Sequence, residues 1–158
     1  MMGKKKASQH RPFESSTQSG KFVKICLDMM ESAAWKALTR SQRYLYLELK
    51  SKYTAKYSSG LFVSDNANDI SIPTSEVRSL YSNIRVFRAD IDKLMMYGFV
   101  DLVEDGYITR TVNIYGFSER WKKYGQPDFK PPKFLRSEVS EDTKEKIRES
   151  RKKQQPDD

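Results

Sequence analysis

Apolar residues recur at helical spacing in two long stretches of the chain. The first stretch begins at Thr39-Arg40-Ser41-Gln42, a Ser/Thr-x-x-Glu/Gln sequence typical of a capped helix N-terminus. It predicts a helix to about Tyr53 with an apolar face that repeats every fourth residue, at Leu45, Leu49 and Tyr53. Other sides of this helix also carry large apolar residues. The helix therefore permits contact with a second copy of the chain without requiring it.

The second stretch, Ile84–Met95, predicts a longer helix with a single buried face. Its apolar positions fall within about 100° of one another, because each residue turns the helix by about 100°. Gly98 follows in the position that commonly ends a helix. A brief helix capped by Thr74 or Ser75 is predicted just before it, and only Ser82-Asn83 separates the two.

Alternating apolar and polar residues predict three strands after the first long helix. Ile70-Ser71-Ile72 is a short one. Phe99–Glu104 and Tyr107–Tyr115 form a pair that the turn-forming dipeptide Asp105-Gly106 joins, and Gly116 is expected to end the second strand.

Four further segments complete the folded part. Residues 23–27 alternate as a strand, and its Cys26 is expected to be an inert packing residue. Met30–Leu38 predicts a short helix or turn. Residues 56–69 are rich in Ser, Asn and Asp, which favours a loop or an irregular hairpin. A short helix is expected over Ser118–Gly125.

The order of the main elements is helix, short strand, short helix, longer helix and two-stranded hairpin. This order is typical of a winged helix-turn-helix, in which the two adjacent helices form the helix-turn-helix and the hairpin forms the wing. We therefore predict an α+β fold, mainly helical, with a wing sheet of two or three strands.

The composition excludes several classes of protein. Apolar residues make up 37% of the 158 residues, and no apolar run reaches the roughly 18 residues of a membrane span. The single cysteine and single histidine exclude an internal disulfide framework and a zinc site built from these residues. We expect a cytoplasmic protein without membrane association.

Signatures of catalysis are missing from the sequence. It holds neither a GxxxxGK[ST] phosphate loop nor a GxSxG nucleophile elbow. Asp90 and Asp92 lie about 200° apart on the predicted helix, so they cannot chelate one metal ion together. We expect no enzymatic activity, no cofactor and no metal site.

The net charge of +8 is unevenly distributed along the chain. Residues 1–21 carry five basic residues against Glu14 alone, and we expect a disordered arm that suits either a polyanion or a solubilising role. Its candidate DNA contacts are Lys4, Lys5 and Lys6. Residues 22–125 form the predicted domain, and residues 126–158 are predicted as a proline-containing linker followed by a charged tail.

Three stretches carry a resemblance to a known group of proteins. They are Ala34–Thr39 together with Arg43–Lys50, Asp90–Asp101, and Asn113–Trp121. Over roughly residues 30–125 the chain resembles small winged-helix DNA-binding proteins of mobile elements, namely phages, conjugative plasmids and conjugative transposons, mostly of Gram-positive bacteria. The resemblance implies a regulator or accessory factor in replication or conjugative transfer. It also implies double-stranded DNA and other replication or transfer proteins as partners, and no particular target sequence.

In a helix-turn-helix, the N-terminal half of the second helix enters the major groove. The candidate contacts there are Asn83, Arg85, Val86, Arg88, Ala89 and Lys93. Arg85 suits guanine O6 and N7, or is a solvated surface charge; Asn83 suits adenine, or is the N-cap of the helix. Val86 or Ala89 suits a thymine methyl. Arg88 and Lys93 suit either phosphate contacts or solubility.

Residues outside this helix add weaker candidates. Arg78 and Tyr81 on the preceding helix suit contacts with the DNA backbone, and Arg110 in the wing suits the minor groove or a phosphate. Glu104 and Asp105 at the expected tip of the wing repel phosphates, which argues against deep insertion of the wing.

An alternative function is a winged-helix module that binds proteins without direct sequence-specific DNA binding. The small net charge of residues 22–125 and the Tyr- and Leu-rich first helix favour this alternative. A steep weakening of binding with salt would favour DNA instead.

Overall fold

The computed structural model describes residues 22–106 and 109–133. Its five α-helices are α1 Leu27–Glu31, α2 Ala33–Ala37, α3 Arg40–Ser51, α4 Thr74–Leu80 and α5 Ile84–Met96. Its strands are β1 Ala55–Ser58, β2 Leu61–Asp65, β3 Ile70–Ser71, β4 Val100–Glu104 and β5 Ile114–Phe117. A 3-10 helix, Arg120–Lys123, follows β5. The predicted α+β class is confirmed, and the order of elements is compatible with a winged-helix-like arrangement.

The predicted capping box at the start of α3 is confirmed. The backbone N–H of Thr39 donates to Oε1 of Gln42 at 2.9 Å, and the N–H of Gln42 donates to Oγ1 of Thr39 at 3.4 Å. These bonds satisfy donors that an uncapped helix leaves without partners. The helix buries Leu45 and Leu49 as predicted, and it ends at Ser51, two residues before the predicted end.

Two predictions near the N-terminus of the domain are corrected. Residues 22–26 form no strand, and Cys26 is an exposed residue at the N-cap of α1 rather than a packed one. The single helix or turn predicted over Met30–Leu38 is divided at Ser32, which ends α1 and caps α2 by accepting the N–H of Trp35 on its Oγ at 3.1 Å. A serine that can cap a new helix favours this break.

The start of α4 also differs from the prediction, because neither Thr74 nor Ser75 is its cap. Pro73 occupies the N-cap position, with its carbonyl accepting the N–H groups of Glu76 and Val77 at 3.0 Å. Thr74 and Ser75 are already helical residues. The conformation of Pro73, with φ −60° and ψ 151°, sets the extended entry into the helix.

Three strands form an antiparallel sheet in the order β3-β5-β4. Tyr115 on β5 pairs with Ile70 of β3 on one side and with Leu102 of β4 on the other. The prediction that Gly116 ends the last strand is wrong, because it lies inside β5. A side chain there would meet Oδ1 of Asn68 at 2.6 Å, so the glycine permits a close approach of the neighbouring loop.

The connection between β4 and β5 is longer than the two-residue turn predicted at Asp105-Gly106. The N–H of Thr111 donates to the carbonyl of Gly106 at 2.9 Å, and the N–H of Gly106 donates to Oδ1 of Asn113 at 3.1 Å. These bonds hold a wider loop, and β5 starts only at Ile114. The part of the predicted strand at residues 107 and 108 lies outside the described residues.

An irregular hairpin, one of the two structures predicted for residues 56–69, is present as β1 and β2. Ser59 and Gly60 turn the chain with positive φ values of 51° and 78°, the conformation of a tight hairpin turn. The pairing shifts between Lys56 and Tyr57, which marks a bulge. Every residue of β2 is exposed, so this ribbon stands apart from the core.

Aromatic side chains fill the centre of the fold. Tyr46 of α3 and Phe99 lie with ring centroids 5.3 Å apart in an edge-to-face arrangement, and Trp35 meets both rings at 5.8 Å. Trp121 stacks on Phe99 from the 3-10 helix. Burial of such large rings is a major source of stability in a chain with few apolar residues.

The first residues of the predicted linker fold back on the domain. The N–H of Phe129 donates to the carbonyl of Gln126 at 3.1 Å, which makes a turn. Phe129 packs edge-to-face on Tyr124 at 5.5 Å. Arg120 fixes the segment further by donating to the carbonyl of Lys130 at 2.9 Å.

Candidate nucleic-acid interface

Helices α4 and α5 meet through a connection of three residues, Tyr81 to Asn83. Asn83 is the N-cap of α5, and its Oδ1 accepts the N–H of Arg85 at 2.8 Å. At the other end Gly98 leaves the helix with φ +83°. The capping role predicted as one alternative for Asn83 is therefore present, and it uses the oxygen that contact with adenine would also require.

A buried carboxylate fixes α5 to the rest of the domain. Asp90 is almost fully buried and accepts three side-chain hydrogen bonds. Oδ2 accepts from Oγ of Ser41 at 2.7 Å and from the hydroxyl of Tyr81 at 2.9 Å, and Oδ1 accepts from Nε2 of Gln42 at 3.1 Å. One side chain thus joins the capped start of α3, the connection before α5 and α5 itself.

The hydroxyl of Tyr81 belongs to this hydrogen-bonded network, because it donates to Asp90. Burial, together with the hydrogen bond to Asp90, raises the pKa of Tyr81 above its ordinary value. The predicted contact of Tyr81 with the DNA backbone does not agree with this placement. A second bond steadies the preceding helix, because Nζ of Lys52 pairs with Oε2 of Glu76 on α4 at 2.7 Å.

Apart from Tyr81, the candidate contacts predicted on these two helices lie on the surface. The exposed side chains are Arg78, Asn83, Arg85, Val86, Arg88, Ala89 and Lys93. The helical spacing of apolar residues predicted Ile84 on the buried face of α5. The side chain is instead 39% exposed, because the first turn of α5 extends beyond the core. The remaining predicted core positions of α5, at Phe87, Ile91, Leu94 and Met95, are buried.

The fully exposed charged side chains of α5 are all positive. Arg85, Arg88 and Lys93 are exposed, whereas Asp90 is buried and Asp92 is half-buried. Arg85, Arg88 and Lys93 take part in none of the four ion pairs that join residues within 22–106 and 109–133, which are Lys52–Glu76, Asp101–Arg120, Glu119–Lys122 and Lys123–Asp128. The outer surface of α5 therefore presents cations to solvent, the charge that a polyphosphate attracts.

Arg110 lies in the loop between β4 and β5 and is exposed. It has a positive φ of 55°, and the hydroxyls of its neighbours Thr109 and Thr111 lie 2.7 Å apart. Glu104 at the end of β4 is also exposed, so the β4–β5 connection and its flanks carry both signs of charge. The arm candidates Lys4, Lys5 and Lys6 lie outside the described residues.

Two further features are absent from the part of the chain that the structure describes. No group of three or more His, Cys, Asp or Glu side chains there is placed to hold a metal ion. None of the described helices is both long and apolar enough to cross a membrane.

Comparison with protein-family models, curated proteins and solved structures gives no match.

Asp90 is the residue of this site whose role the sequence analysis missed. From the sequence, Asp90 was considered only as a possible metal ligand together with Asp92, and that role was excluded. Its position three residues after Phe87 and four before Leu94 places it inside the apolar stripe of α5. A charged residue in such a stripe must be paired or hydrogen-bonded, which is the signal that would have identified it.

Proposed function

We propose that the protein binds double-stranded DNA through a winged helix-turn-helix formed by α4, α5 and the β4–β5 wing. In this proposal α5 is the recognition helix, and the protein is a regulator or accessory factor in replication or conjugative transfer of a mobile element. The role in a mobile element rests on the resemblance described for residues 30–125.

The observation that carries the proposal is the excess of exposed positive charge on α5. Its cations point outward, while its two acids are buried or half-buried. On a helix with a merely solvated surface, acidic and basic residues are usually interspersed. The phosphates of a groove supply the negative charge that such a surface lacks.

In this proposal the candidate residues have different tasks. Arg85 lies in the first turn of α5, where a recognition helix meets base edges, and its guanidinium suits the two acceptors of guanine. Val86 and Ala89 leave apolar surface for a thymine methyl. Lys93 lies in the last turn and suits a phosphate, as does Arg78 on α4.

The hydrogen bonds that attach α5 to the rest of the domain support its proposed role as a recognition helix. A helix that reads bases must keep its side chains within a fraction of an ångström of their partners. The three hydrogen bonds of Asp90 and the salt bridge between Lys52 and Glu76 hold α4 and α5 against α3. These contacts fix the orientation of the exposed side chains without occupying them.

Fluorescence anisotropy with labelled duplexes tests the proposal. The full chain is titrated against a random duplex and against duplexes from its own genetic neighbourhood, with Arg85→Ala alongside. We expect salt-sensitive binding that Arg85→Ala weakens by about 1–3 kcal/mol at a preferred sequence. No binding to any duplex at low salt would overturn the proposal and favour a protein partner.

A further inference from the structure

A cleft of about 460 Å³ lies between α3, β5 and the 3-10 helix. Much of its wall is aromatic, with Tyr53 just after α3, Phe117 from β5 and Trp121 from the 3-10 helix. None of the candidate DNA contacts on α4 and α5 lines it. A volume of this size lies within the range of clefts that hold small molecules.

Tyr46 brings a buried hydroxyl to this cleft. Only 2% of Tyr46 is exposed, and its ring packs on those of Trp35, Phe99 and Phe117. The hydroxyl forms no hydrogen bond with any residue that the structure describes. Every fully enclosed side-chain nitrogen or oxygen in that part of the chain has a partner, so the hydroxyl oxygen must open onto the cleft. A buried hydroxyl without a partner favours a ligand that accepts its hydrogen bond.

Lys50 adds a positive charge to the same face of α3. It follows Tyr46 by four residues, the spacing that brings two side chains together on a helix. Its Nζ lies 4.6 Å from the ring centre of Phe117 and 5.1 Å from that of Tyr53. Among residues 22–106 and 109–133, the ammonium group has neither a salt bridge nor a hydrogen bond. Burial lowers the pKa of Lys50, because the ammonium group loses water, and an anion in the cleft would replace that lost interaction.

The other charges around the cleft limit the kind of anion that fits it. Asp28, Asp65 and Glu119 are acidic, and Lys122 is the second basic residue. The hydroxyl of Tyr53 donates to Asp65 at 3.0 Å, and Glu119 pairs with Lys122 at 2.8 Å. A phosphate group carries almost two negative charges near pH 7, and these carboxylates would repel it. A single carboxylate, by contrast, matches the one unpaired ammonium group.

We propose that this cleft binds a small aromatic carboxylic acid. Its carboxylate accepts hydrogen bonds from the hydroxyl of Tyr46 and the ammonium group of Lys50. Its ring packs among the aromatic walls of Tyr53, Phe117 and Trp121. The proposal does not depend on DNA binding, because the cleft shares no residue with the candidate contacts on α4 and α5.

An NMR titration of the isotope-labelled full chain with benzoate tests the site. Benzamide, which lacks the charge, and acetate, which lacks the ring, are compared at the same ionic strength. We expect benzoate to shift the amide signals of the cleft residues and the indole N–H signal of Trp121. Its dissociation constant should be at least about tenfold lower than those of benzamide and acetate.

Two variants remove the two proposed donors without shortening either side chain. Lys50→Met removes the charge and should raise the dissociation constant of benzoate about tenfold, whereas Tyr46→Phe removes only the hydroxyl and should raise it about threefold or more. The matched control Lys36→Met removes the same charge from an exposed position on α2, outside the cleft. We expect the control to bind benzoate like the wild type.

Three results would overturn the proposal. They are benzoate that leaves the cleft signals unchanged, benzamide or acetate that binds as tightly as benzoate, and Lys50→Met that binds benzoate as tightly as Lys36→Met does. Far-UV circular dichroism establishes that each variant is folded. If Lys50→Met unfolds, Tyr46→Phe decides in its place, and an unchanged affinity of that variant for benzoate would contradict the proposal.

Discussion

Gln42 and Asp90 are 48 residues apart in sequence, and Nε2 of Gln42 donates to Oδ1 of Asp90 at 3.1 Å. The same glutamine side chain uses its oxygen to cap α3 by accepting the N–H of Thr39. One amide thus completes the start of α3 and holds the middle of α5. The N-terminal cap of α3 and the middle of α5 are therefore parts of a single hydrogen-bonded network.

Replacement of Asp90 by alanine removes the acceptor that the buried donors of Gln42 and Tyr81 use. We expect Asp90→Ala to lower the free energy of unfolding by about 3 kcal/mol, because unsatisfied buried polar groups keep their desolvation cost. Urea denaturation measures the change. The control Asp69→Ala removes an exposed carboxylate and should change stability by less than about 0.5 kcal/mol. Equal effects in the two variants would refute the role given to Asp90.

Stability should fall at alkaline pH because of two tyrosines. Burial raises the pKa of Tyr46 to about 12. Burial and then the hydrogen bond to Asp90 raise the pKa of Tyr81 as well. The folded state therefore holds both protons more tightly than the unfolded state, whose tyrosines ionise near pH 10. The contribution of these two tyrosines to the free energy of unfolding is complete below about pH 10. It is lost as the pH rises from there through their folded-state pKa values.

Two measurements check this dependence on pH. Urea unfolding on both sides of about pH 10 should give a stability that falls with pH, and Tyr46→Phe should make that fall shallower. Absorbance of tyrosinate in the folded protein should show Tyr46 and Tyr81 ionising after the exposed tyrosines. If all nine tyrosines ionised together while the protein remained folded, the assignment would be wrong.

Gly98 should tolerate no side chain, and Gly125 provides a matched comparison. Both have φ +83°, but a Cβ at Gly98 would lie 2.5 Å from the backbone nitrogen of Trp121, whereas a Cβ at Gly125 meets nothing within 4 Å. We expect Gly125→Ala to cost about 1 kcal/mol for the left-handed backbone alone. Gly98→Ala should cost about 3 kcal/mol or more, since the clash adds to that strain. Thermal unfolding compares the two, and similar destabilisation would contradict the close packing at Gly98.

Elements with strong local signals could be predicted from the sequence. The capping box at Thr39 and Gln42 and the apolar period of α5 depend on residues three or four positions apart, and both are present. The division between α1 and α2 and the caps at Ser32 and Pro73 were missed. Several residues there are able to cap a helix, and the sequence alone does not rank them.

The connection between β4 and β5 shows why some turn signals mislead. Asp105-Gly106 is a common hairpin dipeptide, yet the glycine serves a different purpose here. A Cβ at Gly106 would lie 2.4 Å from the carbonyl oxygen of Thr111, so glycine is needed for a close approach of two backbone segments. The turn with positive φ falls instead at Arg110, where no glycine marks it. Contacts between residues five to seven positions apart within the loop, such as Gly106 with Thr111 and Asn113, determine its shape, and the dipeptide alone does not reveal them.

The placement of the candidate interface was partly predictable. Helical geometry alone put Arg85, Val86, Ala89 and Lys93 on the side away from the core, and all four are exposed. The burial of Asp90 was missed, although it removes a negative charge from the same surface.

Removal of residues 1–21 tests the basic arm separately from α5. The segment holds five basic residues, including Lys4, Lys5 and Lys6, and lies before the first described residue. We expect the truncated protein to remain folded and to bind a random duplex more weakly. The slope of its salt dependence should fall by about 0.9 for each phosphate that the arm neutralises. Anisotropy titrations of the full and truncated chains measure both effects. Unchanged affinity and salt dependence would leave the arm with a solubilising role.

The central claim is that the cations of α5 contact DNA, and the salt dependence of binding tests it most directly. The logarithm of the dissociation constant is measured against the logarithm of salt concentration for the wild type and Arg85→Ala/Lys93→Ala. The control Arg40→Ala/Lys36→Ala removes the same two charge types at exposed positions outside α5. We expect the slope to fall by up to about 2 in the α5 variant, less where Arg85 contacts a base, and to stay unchanged in the control. Equal slopes and affinities in all three proteins would contradict the claim.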